Sequence, residues 1–495
     1  MNSKEEKNTV LSVKYTTSIL ELIFQYLRDK EIIQAGKCCK TWNKVITTSP
    51  LVWKYITLEL RIDKDLYELG KVSKKYTPYL SCISSFYIEV QEYFSFYYFR
   101  LQELFKYFEN NSRRIEQIEF NFHSTISRKD VCRFLSRFTL PNLKKWTLNY
   151  KQKKEEHLEE GENFNLNKVF CHSTTLESIS LKAYTNIFYG NNYISKVNHL
   201  KGLKRFVDTL KEVYFENIHF KNSSSLQILT QLTNLTKITL INNEFQSSLE
   251  ETIELPEINM INNSISSPLF SFYQLTSLKE LKLVGFIMVY LLPFFISFSK
   301  EEEKPKTERM ELTKLTLCQE VYLQKSYPDF YLNLLKECPE FHSIKELKLY
   351  FLYKRINSID FLSGFQNLIS CELKFNHFGP SCCNLITLLA EKNSSSLENL
   401  IINSTQEGSC MKFQEIRKFY KLSNLNLSNL QLEIEDCIQL LEWSSLHKIN
   451  MKEIKLVDSS MSSLIWKKLD KFKIRYIVSD SKSYKVISHC IEKEN

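Results

Sequence analysis

Apolar residues recur along this chain at relative positions 1, 4 and 6, with polar residues concentrated in the gaps between them. The pattern reads Ile115-Ile118-Phe120, Leu143-Trp146-Leu148, Leu176-Ile179-Leu181 and Leu210-Val213-Phe215. It continues as Leu235-Ile238-Leu240, Leu278-Leu281-Leu283, Leu312-Leu315-Leu317 and Ile344-Leu347-Leu349, then as Leu368-Cys371-Leu373, Leu397-Leu400-Ile402, Leu422-Leu425-Leu427 and Leu446-Ile449-Met451. Most steps are 24–34 residues long. The exception is the 43-residue step from Leu235 to Leu278, which holds the Ser/Asn-rich stretch Gln246–Pro268, read as a loop or small insertion. Alternation of apolar and polar residues over positions 3 to 7 predicts one short strand per unit. A single such unit leaves its apolar edge in water, so the units are expected to stack. Asn243 and Asn376, at position 9, are expected to satisfy backbone groups where the chain leaves the strand. Ile474-Tyr476-Val478 reads as a final capping strand.

The spacing resembles the leucine-rich-repeat family, whose unit of 20–29 residues pairs a short strand with a helix or turn. The resemblance implies a horseshoe with a parallel sheet on its concave side. In such a strand positions 3, 5 and 7 point away from the core. Across the twelve units they hold nine lysines (145, 182, 237, 282, 314, 348, 374, 448 and 452) and six glutamates (119, 212, 216, 280, 346 and 372). The candidate points of contact with a target protein on this face are Tyr214, Lys237, Lys282, Lys348, Tyr350 and Lys374.

Residues 15–56 follow a different rule. Ile19, Leu20, Ile23, Phe24 and Leu27 have helical spacing, with Thr17 or Ser18 as N-cap. Ile32-Ile33 and then Ala35, Cys39 and Trp42 follow a short turn, and Ser49-Pro50 closes the third helical stretch before Leu51 and Trp53. Three short helices in some forty residues bury too little to stand alone, which predicts docking onto another protein. The order is similar to the F-box, the helical module by which substrate receptors join ubiquitin ligases of the Skp–cullin–F-box type. The matching parts are the helix Ile19–Leu27, the Cys-x-x-Trp at Cys39 and Trp42, and Pro50-Leu51-Val52-Trp53. Where that family opens with Leu-Pro-x-Glu, this chain has Tyr15-Thr16-Thr17-Ser18. The resemblance implies a Skp-type adaptor as partner, met by Ile19, Leu20, Ile23, Phe24, Leu27, Ile32, Leu51 and Trp53, with Cys39 and Trp42 in the module core.

Between the two regions, Tyr79–Phe108 is dense in aromatics. The spacing of Phe96, Phe99, Leu101, Leu104, Phe105 and Phe108 is that of a buried helical stripe rather than a stacking platform for bases. The expected organisation is therefore α/β. A polar N-terminus expected to be disordered, 1–14, precedes an F-box-like module at 15–56, a helical joint at 57–112, a leucine-rich-repeat solenoid at 113–480 and a tail at 481–495.

Composition removes alternatives. With 9 Gly there is no GxGxxG or phosphate-cradling loop, and the 13 Cys and 9 His form no CxxC or HExxH. No cofactor or metal is expected, and no catalytic constellation emerges. The odd cysteine count and scattered apolar placement suit a reducing compartment, cytoplasmic or nuclear, and the polar start Met1–Lys14 is not a signal peptide. Leu283–Ser299 is uncharged, but it is 17 residues long and interrupted by Pro293, so a strand followed by an amphipathic helix is expected rather than a membrane span. The net charge of +9 is dispersed, and runs such as Lys151–Glu162 mix both signs, so neither nucleic acid nor membrane is an expected partner. The chain reads as a non-catalytic substrate-recognition subunit of a cullin-based ubiquitin ligase. The competing reading is a leucine-rich-repeat scaffold for a signalling partner or small GTPase, outside any ligase.

Overall fold

Positions 4 and 6 of each of the twelve apolar triplets lie on a strand of a parallel sheet and position 1 lies two residues before it, and every one of these side chains is 5% exposed or less. The structure is a computed structural model. It describes residues 17–62, 79, 82–90, 106, 108–123, 131, 134–151, 164–165, 170, 173–184, 195–220, 227–241, 244–245, 275–285, 311–319, 342–356, 358–406, 409–413, 415–457, 476–478 and 484–487. The chain divides into two units, one of residues 1–234 and 244–248 and the other of 235–243 and 249–495.

The first unit opens with three helical segments: α1 over residues 17–24, α2 Asp29–Gly36 and α3 Lys40–Thr48. A parallel sheet follows, built from β1 Thr57–Ile62, β2 Ser85–Val90, β3 Gln117–Phe122, β4 Lys145–Lys151, β6 Ser178–Tyr184 and β8 Glu212–Glu216 in that order. A second layer of short strands flanks it: β5 Phe164–Asn165, β7 Ser195–His199, β9 Ile218–Phe220 and β11 Glu244–Phe245.

The second unit repeats the scheme with eight parallel strands. They are β10 Lys237–Ile241, β12 Glu280–Val284, β13 Lys314–Gln319, β14 Glu346–Ile356, β15 Ser370–Phe378, β16 Asn399–Ser404, β18 Asn424–Ser428 and β20 Lys448–Lys452. Its flanking layer comprises β17 Ser409–Cys410, β19 Leu430–Glu433, β21 Ile454–Val457, β22 Tyr476–Val478 and β23 Tyr484–Ile487. The register sets like positions side by side, running Leu281, Leu315, Leu347, Cys371, Leu400, Leu425 and Ile449 across the sheet. At roughly 1.5–3 kcal/mol per large apolar side chain buried, such columns dominate the cohesion of the stack. Asn393, fully buried on the helix Leu385–Asn393, adds a polar tie by accepting from the Leu368 N–H at 2.8 Å and donating to the Phe365 carbonyl at 3.3 Å.

β14 and β15 run past position 9, to Ile356 and Phe378, but in four other repeats the chain leaves the strand at position 8. Asn217, Gly285, Asn429 and Glu453 stand there with φ of 55°, 82°, 56° and 54°, in the left-handed region that favours Gly and Asn. The Asn217 amide donates to the Ala183 carbonyl of the preceding repeat at 2.7 Å. Of the two position-9 asparagines, Asn376 accepts from the Thr405 hydroxyl at 2.6 Å, and Asn243 lies outside the described residues.

Two boundaries differ from the sequence expectation. The stretch 57–112 is not only a helical joint, because it contains β1 and β2. In β1, Leu58 and Leu60 are buried in period-2 alternation, and in β2 the same alternation (Phe86, Ile88 and Val90 buried) outweighs the aromatic helical pattern. Phe108 is buried on a helical turn as expected, whereas Phe96, Phe99, Leu101, Leu104 and Phe105 lie outside the described residues. At the other end, β22 does not extend the main sheet. It pairs antiparallel with β23, which pairs antiparallel with β21, so residues read as tail complete the flanking layer. The Gln246–Pro268 insertion and all of the uncharged segment after Gly285 are outside the described residues.

Candidate functional site

Helix α1 carries two apolar stripes. Leu20 and Phe24 point inward, 8% and 1% exposed, with Leu27 half-buried beyond them. Ile19, Leu22, Ile23 and Tyr26 point outward at the i, i+3, i+4, i+7 spacing of one helical face, and they are 57%, 55%, 50% and 83% exposed. Leu51 and Tyr55, in the turn after α3, are exposed as well.

The inner stripe closes the module. Phe24 meets the Trp42 ring edge-on at 5.4 Å, and Ile32, Val45, Ile46, Val52 and Trp53 fill the remaining space. The Trp53 indole N–H donates to the Ile46 carbonyl at 2.8 Å, so the buried ring leaves no orphan donor. The helix starts are held locally. The Glu31 carboxylate accepts from the Arg28 guanidinium and from the Arg28 backbone N–H, both at 2.8 Å, and the guanidinium first and then the N–H hold its pKa below the usual carboxylate value. Cys39 caps α3, its sulfur accepting from the Trp42 N–H at 3.4 Å. The module also packs onto the first repeats. The Tyr79 ring lies against Trp53 at a 31° tilt, centroids 4.9 Å apart, and the Cys82 thiol donates to the Thr47 carbonyl at 3.2 Å.

Of the eight residues expected to face an adaptor, the structure leaves Ile19, Ile23 and Leu51 exposed and Leu27 partly so. Leu20, Phe24, Ile32 and Trp53 are interior, because a module this small has few other side chains with which to fill its core. Cys39, expected in that core, is exposed, since the N-cap position lies at the helix end. Trp42 is half-buried. Leu22, Tyr26 and Tyr55 were not expected to contribute, although the outer stripe is legible as a second set of apolar residues at helical spacing.

The second surface is the outward side of the sheets. In the first unit Tyr214 is half-buried, its hydroxyl donating to Glu216 at 2.6 Å and its ring beneath the Lys182 ammonium at 4.9 Å. In the second unit, position 3 forms a ladder of ion pairs. Lys237 meets Glu280 at 2.9 Å, Glu280 meets Lys314 at 3.8 Å, and Lys314 meets Glu346 at 2.9 Å. Glu346 and Glu280 raise the Lys314 pKa above its usual value. Positions 5 and 7 bring Lys348, Tyr350 and Lys374 together around Glu372, which is 7% exposed. Its carboxylate lies 3.2 Å from the Lys348 ammonium and 2.7 Å from that of Lys374, and Lys374 also sits 4.6 Å from the Tyr350 ring centre. Burial alone would raise the Glu372 pKa, but hydrogen bonds from Lys374, Tyr350 and Lys348 outweigh it and hold the group ionised below the usual value. Tyr350 is pushed up, by burial first and then by Glu372. Lys282 stands exposed nearby in sequence register, without an ion pair among the described residues. The six expected contact points therefore separate into Lys237 in the ladder, Lys348, Tyr350 and Lys374 around one carboxylate, Lys282 by itself, and Tyr214 on the other unit.

Among the described residues no group of three or more His, Cys, Asp and Glu could hold a metal ion, and no helix is long and apolar enough to cross a membrane.

Residues 17–59 match the family model described as F-box-like. A search of curated proteins returned no match. Among solved structures the chain is similar to an internalin from Listeria monocytogenes, at 16% identity and a TM-score of 0.36 over 71% of this chain and 82% of that one.

Proposed function

We propose that a chain pairing an F-box-like module with leucine-rich repeats serves as the substrate-recognition subunit of a Skp–cullin–F-box type ubiquitin ligase, in the cytoplasm or nucleus. One observation carries the reading: the F-box-like module presents an apolar helical stripe, Ile19, Leu22, Ile23 and Tyr26, that nothing in the described chain covers. An adaptor of the Skp type is the partner that a module of this family offers such a surface to, and Leu51 and Tyr55 supply further apolar contacts. The repeats would then hold a target protein. The chain's contribution is positional, since it raises the effective concentration of the target's lysines near the ubiquitin-charged enzyme and supplies no reacting group itself.

The test is co-expression of the full-length chain with a Skp-type adaptor, followed by capture through a tag on the chain. The adaptor is expected to co-purify with the native protein, and to be lost with Ile23→Asp plus Leu51→Asp while the melting temperature stays unchanged. Failure of the native chain to retain any adaptor overturns the assignment.

A further inference from the structure

The outward positions of the two units carry opposite charge. On the first unit, positions 3, 5 and 7 of its six strands hold Arg61, Lys145 and Lys182 against Glu59, Glu89, Glu119, Glu212 and Glu216, a balance of three against five. On the second unit the same positions hold Lys237, Lys282, Lys314, Lys348, Lys374, Lys448 and Lys452 against Glu280, Glu346 and Glu372, seven against three.

The surplus is not spread evenly. At position 3, Lys237, Glu280, Lys314 and Glu346 neutralise one another. At positions 5 and 7 across β12 to β15, Lys282, Lys348 and Lys374 have only Glu372 between them. That carboxylate is nearly buried, so it fixes two ammonium groups on the surface while cancelling one of them. Two cationic charges remain, on a face that also offers the Tyr350 ring. Lys282 and Lys348 occupy the same row two strands apart, roughly 10 Å, which is about the reach of three extended residues.

We infer that this patch, Lys282, Lys348, Tyr350 and Lys374 on the sheet of the second unit, binds an acidic, extended segment of a partner protein. Charge complementarity selects the sign, and the pre-positioned lysines reduce the ordering cost of binding. Nucleic acid fits less well, because the adjoining ladder is neutral and gives no continuing row of free cations for a phosphate backbone to follow. Tyr350, half-buried, offers little area for base stacking. The inference names the class of target for the proposed receptor and rests on that reading only for its role in a ligase.

The test uses the full-length chain and fluorescence anisotropy of a labelled peptide of alternating Glu and Ser, with a Lys/Ser peptide and an oligothymidylate as competitors. The acidic peptide is expected to bind, and to weaken as salt is raised. Lys282→Glu, which removes no internal ion pair among the described residues, is expected to weaken binding roughly tenfold, and Lys348→Glu with Lys374→Glu further still. Lys145→Glu, exposed on the first unit, is expected to leave it unchanged. Absence of binding, equal loss with Lys145→Glu, or oligothymidylate binding as tightly as the peptide overturns the inference. Adaptor capture is scored on the same preparations. Loss of peptide binding with the adaptor retained refutes only the patch, and loss of the adaptor with peptide binding retained refutes only the ligase assignment.

Discussion

Phe24 and its neighbour Ile23 allow folding and docking to be separated on a single turn of helix. Phe24 is 1% exposed against Trp42, so Phe24→Ala removes a buried ring from a core of a few large side chains and is expected to cost about 3–5 kcal/mol. In so small a module that loss unfolds the helices locally. Ile23 is 50% exposed, so truncating it to Ala costs the fold little. Covering its exposed half in a complex is worth about half of the ~1.5–3 kcal/mol for full burial, or ~0.8–1.5 kcal/mol, which is roughly four- to twelvefold in Kd. Calorimetric titration of the adaptor into each variant, alongside circular dichroism melts, reads both quantities. Ile23→Ala is expected to weaken the adaptor within that range and keep the melt of the native chain. Phe24→Ala is expected to lose a low-melting helical transition together with binding. If Ile23→Ala lowers the melt as far as Phe24→Ala does, the outer stripe is not a free surface and the reasoning fails.

Two further outcomes follow from single positions. Glu453 holds a left-handed backbone that costs an ordinary side chain about 1–2 kcal/mol, so Glu453→Gly is expected to raise unfolding stability by a net ~0.5–1 kcal/mol after the entropic cost of Gly; a fall in denaturant midpoint would contradict it. Glu372, with its pKa lowered from 4.5 by its three partners, contributes stability that is present above that value and is lost as pH falls through the lower folded value. The melting-temperature difference between the native chain and Glu372→Gln should therefore be positive at neutral pH and shrink in acid; a difference that grows in acid would reverse the sign.

The repeats were legible because positions 1, 4 and 6 admit only apolar side chains, so all twelve triplets could be read directly, even where Trp146 or Cys371 replaced Leu. Two earlier strands escaped notice. In β1 the first position falls on Tyr55, which is 70% exposed, so the triplet is broken. In β2 the triplet Ile83-Phe86-Ile88 is intact but is submerged in aromatic sequence that also fits a helix. Of the flanking layer only β22 was legible, as the strand Ile474-Tyr476-Val478, because strands of two to five residues carry too little alternation to register. On the F-box-like module, residue type identified the apolar positions of α1, but sidedness came only from the structure. Leu20 and Ile19 are equally apolar and adjacent, and face opposite ways.

The ladder Lys237–Glu280–Lys314–Glu346 imposes a parity on the array. Its signs alternate from one repeat to the next, so excising the β12 repeat alone would set Lys237 beside Lys314, like against like. Excising the β12 and β13 repeats together would set Lys237 beside Glu346 and preserve the alternation. Each exposed pair is worth only about 0–1 kcal/mol, yet the penalty has a direction. Over this stretch the stack can shorten or lengthen more easily by even numbers of repeats than by odd ones, so charge order constrains how the array can grow by duplication.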